Sequence, residues 1–192
     1  MKRILTVLLL LTCLINLTAC SSANDNIDTM YIKPTEFSEE TMEVLDLFDD
    51  EIQFFDISIN DTVKSHTVSI WVYRDGEWHE DGKSYGETEF LGNRYAIRLT
   101  ETSCELYSID DNGHTKAKYP KLDTTFDEST AKISWKLNHE QPIELNKEIP
   151  LWVLIGSNAT SFQVSDIEKD FREIDCTAGI AITITVSDEI VE

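Results

Sequence analysis

Val68-Ser69-Ile70-Trp71-Val72-Tyr73-Arg74-Asp75-Gly76-Glu77-Trp78 is the stretch on which the fold reading rests. Successive side chains of an extended chain point to opposite faces, so Val68, Ile70 and Val72 share one side while Ser69, Trp71 and Tyr73 share the other. Asp75-Gly76-Glu77-Trp78 then interrupts the period with turn chemistry.

The alternation recurs on both sides of this stretch. Phe55, Ile57 and Ile59 alternate with Asp56, Ser58 and Asn60, and Tyr95, Ile97 and Leu99 alternate with Ala96 and Arg98. Ser103 to Ile109 runs into Asp110-Asp111-Asn112-Gly113, a hairpin signal because Asn-Gly tolerates positive φ, with Lys116 to Tyr119 returning. Ile133, Trp135 and Leu137 form another copy, and Ile180, Ile182, Ile184 and Val186 a further one. Ile149 to Ile155 is apolar on both faces, as a central strand is, with Pro150 at its start. About seven or eight short strands at this spacing predict a mainly β domain, an antiparallel β-sandwich.

Two helices complete the prediction. Ser38 caps a segment to Phe48, with Glu39 and Glu40 at its positive end, Phe37 stapled to Met42, and Met42, Leu45 and Phe48 as the apolar stripe. Ser165 to Phe171 is a short helix with Ser165 as its cap. Residues 35–192 read as a single domain, with no repeat and no second composition regime.

The 192 residues carry 36 Asp+Glu against 16 Lys+Arg, a formal net charge of -20. A nucleic-acid surface needs clustered Lys and Arg to release counterions, and none occurs after Lys2-Arg3, so nucleic acid is excluded as a partner.

Residues 1–19 have the design of a secretory signal: Lys2-Arg3, an apolar run from Ile4 to Ile15, then Leu17-Thr18-Ala19-Cys20. The last four residues resemble a bacterial lipobox. The resemblance implies cleavage before Cys20, a diacylglyceryl group on its thiol, and a lipid-anchored protein on the outer face of the cell membrane. Two acyl chains hold stably where one holds marginally, at about 0.8 kcal/mol per buried methylene. Loss of Lys2 and Arg3 with the signal leaves 14 cations (16 less 2) against 36 acids, a net charge of -22. Residues 20–34 then read as the lipidated cysteine and a polar tether.

With the lipobox, the tether and the Asp75-Gly76-Glu77-Trp78 turn in view, the chain resembles small, uncharacterised lipoproteins of low-GC Gram-positive bacteria. That likeness implies a β-rich fold and an address, and it carries no activity.

Cys104 and Cys176 are the two cysteines left in the folded part, and they form either one disulfide or two separately buried thiols. Neither has a CxxC spacing, so neither a metal site nor thiol catalysis is expected. Glu77-Trp78-His79-Glu80-Asp81 offers mixed nitrogen and oxygen donors, but neighbouring turn residues rarely converge on one ion, and a solvated hairpin loop is the simpler reading. Asp110-Asp111-Asn112-Gly113 lacks the later glutamate of a calcium loop. Ser157 lacks the second glycine of a nucleophile elbow. No cofactor, metal or catalytic residue is assigned.

Trp71, Tyr73 and Trp78 are the candidate ligand platform. If exposed they offer aromatic faces to a glycan or a protein partner; if the 38–48 helix covers them they are a second core layer. The sequence thus favours a non-enzymatic binding or accessory module, with a carboxylate-based hydrolase of envelope glycans as the alternative.

Overall fold

The computed structural model describes residues 29–48, 52–88, 91–100, 102–126, 131–158 and 164–190. Residues 1–28, on which the expected signal segment and lipobox cysteine Cys20 fall, lie outside the described residues. Within them the protein is a β-sandwich of eleven strands, all pairings antiparallel.

In chain order the strands are β1 (Tyr31–Pro34), β2 (Ile52–Ser58), β3 (Ser65–Arg74), β4 (Glu77–Glu87), β5 (Arg94–Leu99) and β6 (Cys104–Asp110). There follow β7 (Gly113–Tyr119), β8 (Ala131–Lys136), β9 (Gln141–Pro142), β10 (Ile149–Ser157) and β11 (Ala178–Ser187). One sheet has the order β7-β6-β5-β2-β1-β9 and the other β4-β3-β11-β10-β8. Two seven-residue helices, α1 (Glu39–Leu45) and α2 (Val164–Asp170), each run into a single 3-10 turn, Asp46–Phe48 and Phe171–Glu173. Among the described residues no helix is long and apolar enough to cross a membrane.

The register explains the core. Val68, Ile70 and Val72 of β3 stand opposite Ile184, Ile182 and Ile180 of β11, and all six are buried. Together with Phe55, Ile57, Tyr95, Ile97 and Leu106 of the other sheet they form one apolar cluster, the layer that two half-apolar sheets must share. Burying each such side chain contributes about 1.5–3 kcal/mol. Strands β10 and β11 are buried on both faces, as their unbroken apolar runs require. Pro150 sits second in β10, beside an irregularity between Pro150 and Trp152 that absorbs its missing N–H.

Three strands exceed the seven or eight expected. Tyr31–Pro34, read from sequence as the end of the tether, is β1, paired with both β2 and β9 and burying Ile32 completely. Four residues are too few to declare a period. Glu77–Glu87, whose first five residues read as a hairpin loop, is the edge strand β4; the turn is Asp75-Gly76 alone, with φ of 54° and 90°. Both positive angles match the primed hairpin turn that Asp-Gly favours. The third is β9, two residues long.

At the start of α1 Ser38 Oγ accepts from Thr41 N–H at 3.4 Å. Met42 and Leu45 of the helix stripe do not enter the core: no residue of α1 is buried, and Met42 and Val44 are exposed, while the Phe48 side chain lies outside what the structure describes. Phe37 instead packs edge-on against Phe54 of β2, with ring centroids 5.1 Å apart. Ser165 falls inside α2, one residue past its start. Cys104 and Cys176 are both buried and both free, so of the two alternatives the structure has separate thiols and no disulfide.

Candidate functional site

Trp71 and Tyr73 are held on the face of β3 turned away from the core, and β4 sets Trp78 opposite Tyr73. The three aromatics therefore meet on the outer face of the five-stranded sheet. The Tyr73 and Trp78 rings make an edge contact with centroids 5.6 Å apart. Gly179 of β11, in register with Tyr73, leaves the space that Trp78 fills; a Cβ there would collide with the indole.

The cover over these rings is the Phe171–Glu173 turn rather than the 38–48 helix. Phe171 stands edge-on to Trp78 at 4.9 Å between centroids, and the Arg172 guanidinium lies 4.1 Å from the Trp71 ring centroid and 4.3 Å from that of Phe171. A ligand stacking on Trp71 must displace Arg172. All three proposed platform residues are half-buried.

Glu148, just before β10, fixes that turn. Its Oε2 accepts from Arg172 Nη1 at 2.8 Å, and its Oε1 accepts from Arg172 Nη2 at 3.0 Å, Trp71 Nε1 at 3.0 Å and the Thr183 hydroxyl at 2.7 Å. Asp170 adds a bond from the Arg172 backbone N–H at 3.0 Å and lies 3.5 Å from Nη1. Four donors fill the acceptor capacity of a carboxylate, so Glu148 is a fastener and not a free base.

Beside this clamp is a cavity of about 270 Å³ between α2 with its 3-10 turn and the β8–β10 end of the sheet. Its lining combines apolar Trp135, Leu137, Ile149, Ile167 and Phe171 with polar His139 and charged Lys147, Glu148, Glu168, Lys169, Asp170 and Arg172. Trp135 is 5% exposed, and its Nε1–H is buried without an acceptor among the described residues. The cavity is a partly open cleft whose lining is about equally polar and apolar, a concave surface of the kind small molecules occupy.

The other sequence candidates disperse. His79 and Glu77 are 4.0 Å apart, whereas Glu80 turns to the Ser69 hydroxyl at 2.7 Å and to Lys83 at 3.1 Å, and Asp81 pairs with Arg74 at 2.6 Å. Among the described residues no group of three or more His, Cys, Asp or Glu is placed to hold a metal ion. Asp110–Gly113 is a hairpin turn in which Asp110 Oδ1 accepts from Asn112 N–H at 2.7 Å. Ser157 Oγ donates to the Asp175 carbonyl at 3.1 Å. Burial pushes both thiols up to about 12, with Glu105 beside Cys104 and Asp175 beside Cys176 adding to it, so both are unreactive at neutral pH.

Sequence reasoning missed Glu148, Arg172 and the cavity. The available signal was the helix at 165–171, which locates the cover without saying what it covers. A comparison with protein-family models, with curated proteins and with solved structures finds no match.

Proposed function

We propose that this protein is a lipid-anchored, extracytoplasmic binding module whose recognition site is the cavity between α2 and the β8–β10 end of the five-stranded sheet. The observation that carries the binding role is the cleft itself: a partly open cavity lined by both apolar and charged side chains, next to a clamp that holds the covering turn in place. The anchor rests on Leu17-Thr18-Ala19-Cys20 and the apolar run before it. β1 begins at Tyr31, which leaves ten residues, 21 to 30, between the acylated cysteine and the sandwich. Extended at about 3.3 Å each they reach roughly 33 Å, enough to hold an acidic domain clear of an anionic surface.

Metabolic labelling with an alkynyl fatty acid tests the anchor. The wild-type chain incorporates label and partitions with membranes, and Cys20→Ala abolishes both; label retained in that variant refutes the lipobox reading. The binding role is tested by calorimetric titration of the full chain in mild detergent against small metabolites and glycans.

A further inference from the structure

We infer that the cavity takes a small zwitterion with an apolar side chain, of the free α-amino-acid class; this deepens the binding-module reading and rests on it.

Charge balance is the first observation. The chain as a whole has more than two acids for every base, yet the cavity lining carries Lys147, Lys169 and Arg172 against Glu148, Glu168 and Asp170. A polyanion meets three carboxylates there, and a polycation three basic groups.

The second observation is which of these charges are committed. Glu148 and Arg172 satisfy each other, and Asp170 closes onto Arg172. Glu168 is exposed and has no ion-pair or hydrogen-bond partner among the described residues. Among the described residues Lys147 pairs with Glu144, at 2.9 Å, and both side chains are more than half exposed, so water and a ligand carboxylate compete readily for it. The lining thus offers one carboxylate to an ammonium and one exchangeable ammonium to a carboxylate.

The walls supply the third. The lining is about equally apolar and polar, with Leu137, Pro142 and Pro150 beside the nearly buried Trp135, Ile167 and Phe171, so it accepts an aliphatic or aromatic side chain next to charged groups. A cavity of about 270 Å³ lies at the small end of ligand sites, which suits a single amino acid.

The test is calorimetry and tryptophan fluorescence of the full chain in mild detergent, titrated with L-leucine, L-phenylalanine, N-acetyl-leucine, leucinamide and methyl glucoside. Saturable binding of the two amino acids, about tenfold weaker for each singly blocked derivative, is expected. Glu168→Gln and Lys147→Gln each weaken leucine about tenfold with the far-ultraviolet circular dichroism unchanged, and Glu168→Gln leaves N-acetyl-leucine, which has no ammonium, unaffected. Blocked derivatives binding as tightly as leucine, or both variants binding leucine normally, overturn the zwitterion assignment. Binding of methyl glucoside alone overturns the ligand class and leaves the binding module standing, whereas silence from every probe overturns the zwitterion assignment and removes the cavity as its site.

Discussion

His66 of β3 is 4% exposed, with its Nε2 2.8 Å from the Tyr95 hydroxyl of the opposite sheet and its Nδ1 without a partner among the described residues. A charged imidazole there finds no water, and burial brings the folded-state pKa down from 6.5 to about 4. Between those two values the unfolded chain takes up a proton that the folded chain refuses, so stability falls as pH drops from 6.5 through 4. At 1.36 kcal/mol per unit, the loss amounts to about 3 kcal/mol once pH is below 4. His66→Gln should remove this component, and urea denaturation of both proteins at pH 7 and pH 4 should show a shallower acid decline in the variant. Equal declines would mean that the imidazole is not the group responsible. Glu105 titrates lower still, held near 2 by the Tyr107 hydroxyl first and then by Lys116 and Lys118, so its contribution is lost only as pH falls from the ordinary carboxylate range toward 2.

At the scale of elements, the 164–173 segment is joined to the sheet by the polar clamp as well as by Ile167 and Phe171. Glu148→Ala leaves the Thr183 hydroxyl short of an acceptor, Arg172 with the longer Asp170 contact at 3.5 Å, and Trp71 Nε1 with Thr183 Oγ1 at 3.1 Å. The expected cost is about 2 kcal/mol, tempered because Glu148 and Arg172 each remain about a third exposed. Hydrogen exchange should accelerate in 164–173 while the amides of β10 and β11 stay protected; uniform acceleration would show that the clamp serves the whole sandwich. The elements also differ in how far the sequence declares them. β3, β5 and β11 are readable because at least one face is continuous core, which fixes every second residue as apolar. β4 is an edge strand, and Glu77–Glu87 is nowhere buried, so nothing imposes a period on it. Trp71, Tyr73 and Trp78 stand out as a group in the chain, but their cover does not. The Glu148–Arg172 contact joins polar residues 24 positions apart, a pairing for which no periodic signal exists.

Charge acts on the molecule as a whole. With a formal charge of -20 over 192 residues, the folded state holds like charges closer together than the unfolded chain does. Raising salt from about 10 mM to about 1 M shortens the screening length from about 30 Å to about 3 Å, which relieves that repulsion more than it weakens near-contact pairs. The melting temperature should therefore rise with sodium chloride, as followed by differential scanning calorimetry. A flat or falling trend would mean that local pairs such as Glu105 with Lys116 and Lys118 outweigh the net field. Topology has a whole-molecule consequence of another kind. β11, the last strand in chain order, lies between β3 and β10 and joins the two halves of its sheet, while β1 waits for β9 across more than a hundred residues. Contacts so distant in sequence close slowly, and a nascent chain lacking residues 178–187 has no route to the five-stranded sheet. The five-stranded sheet, and the shared core between the two sheets, therefore cannot be completed until β11 has been synthesised.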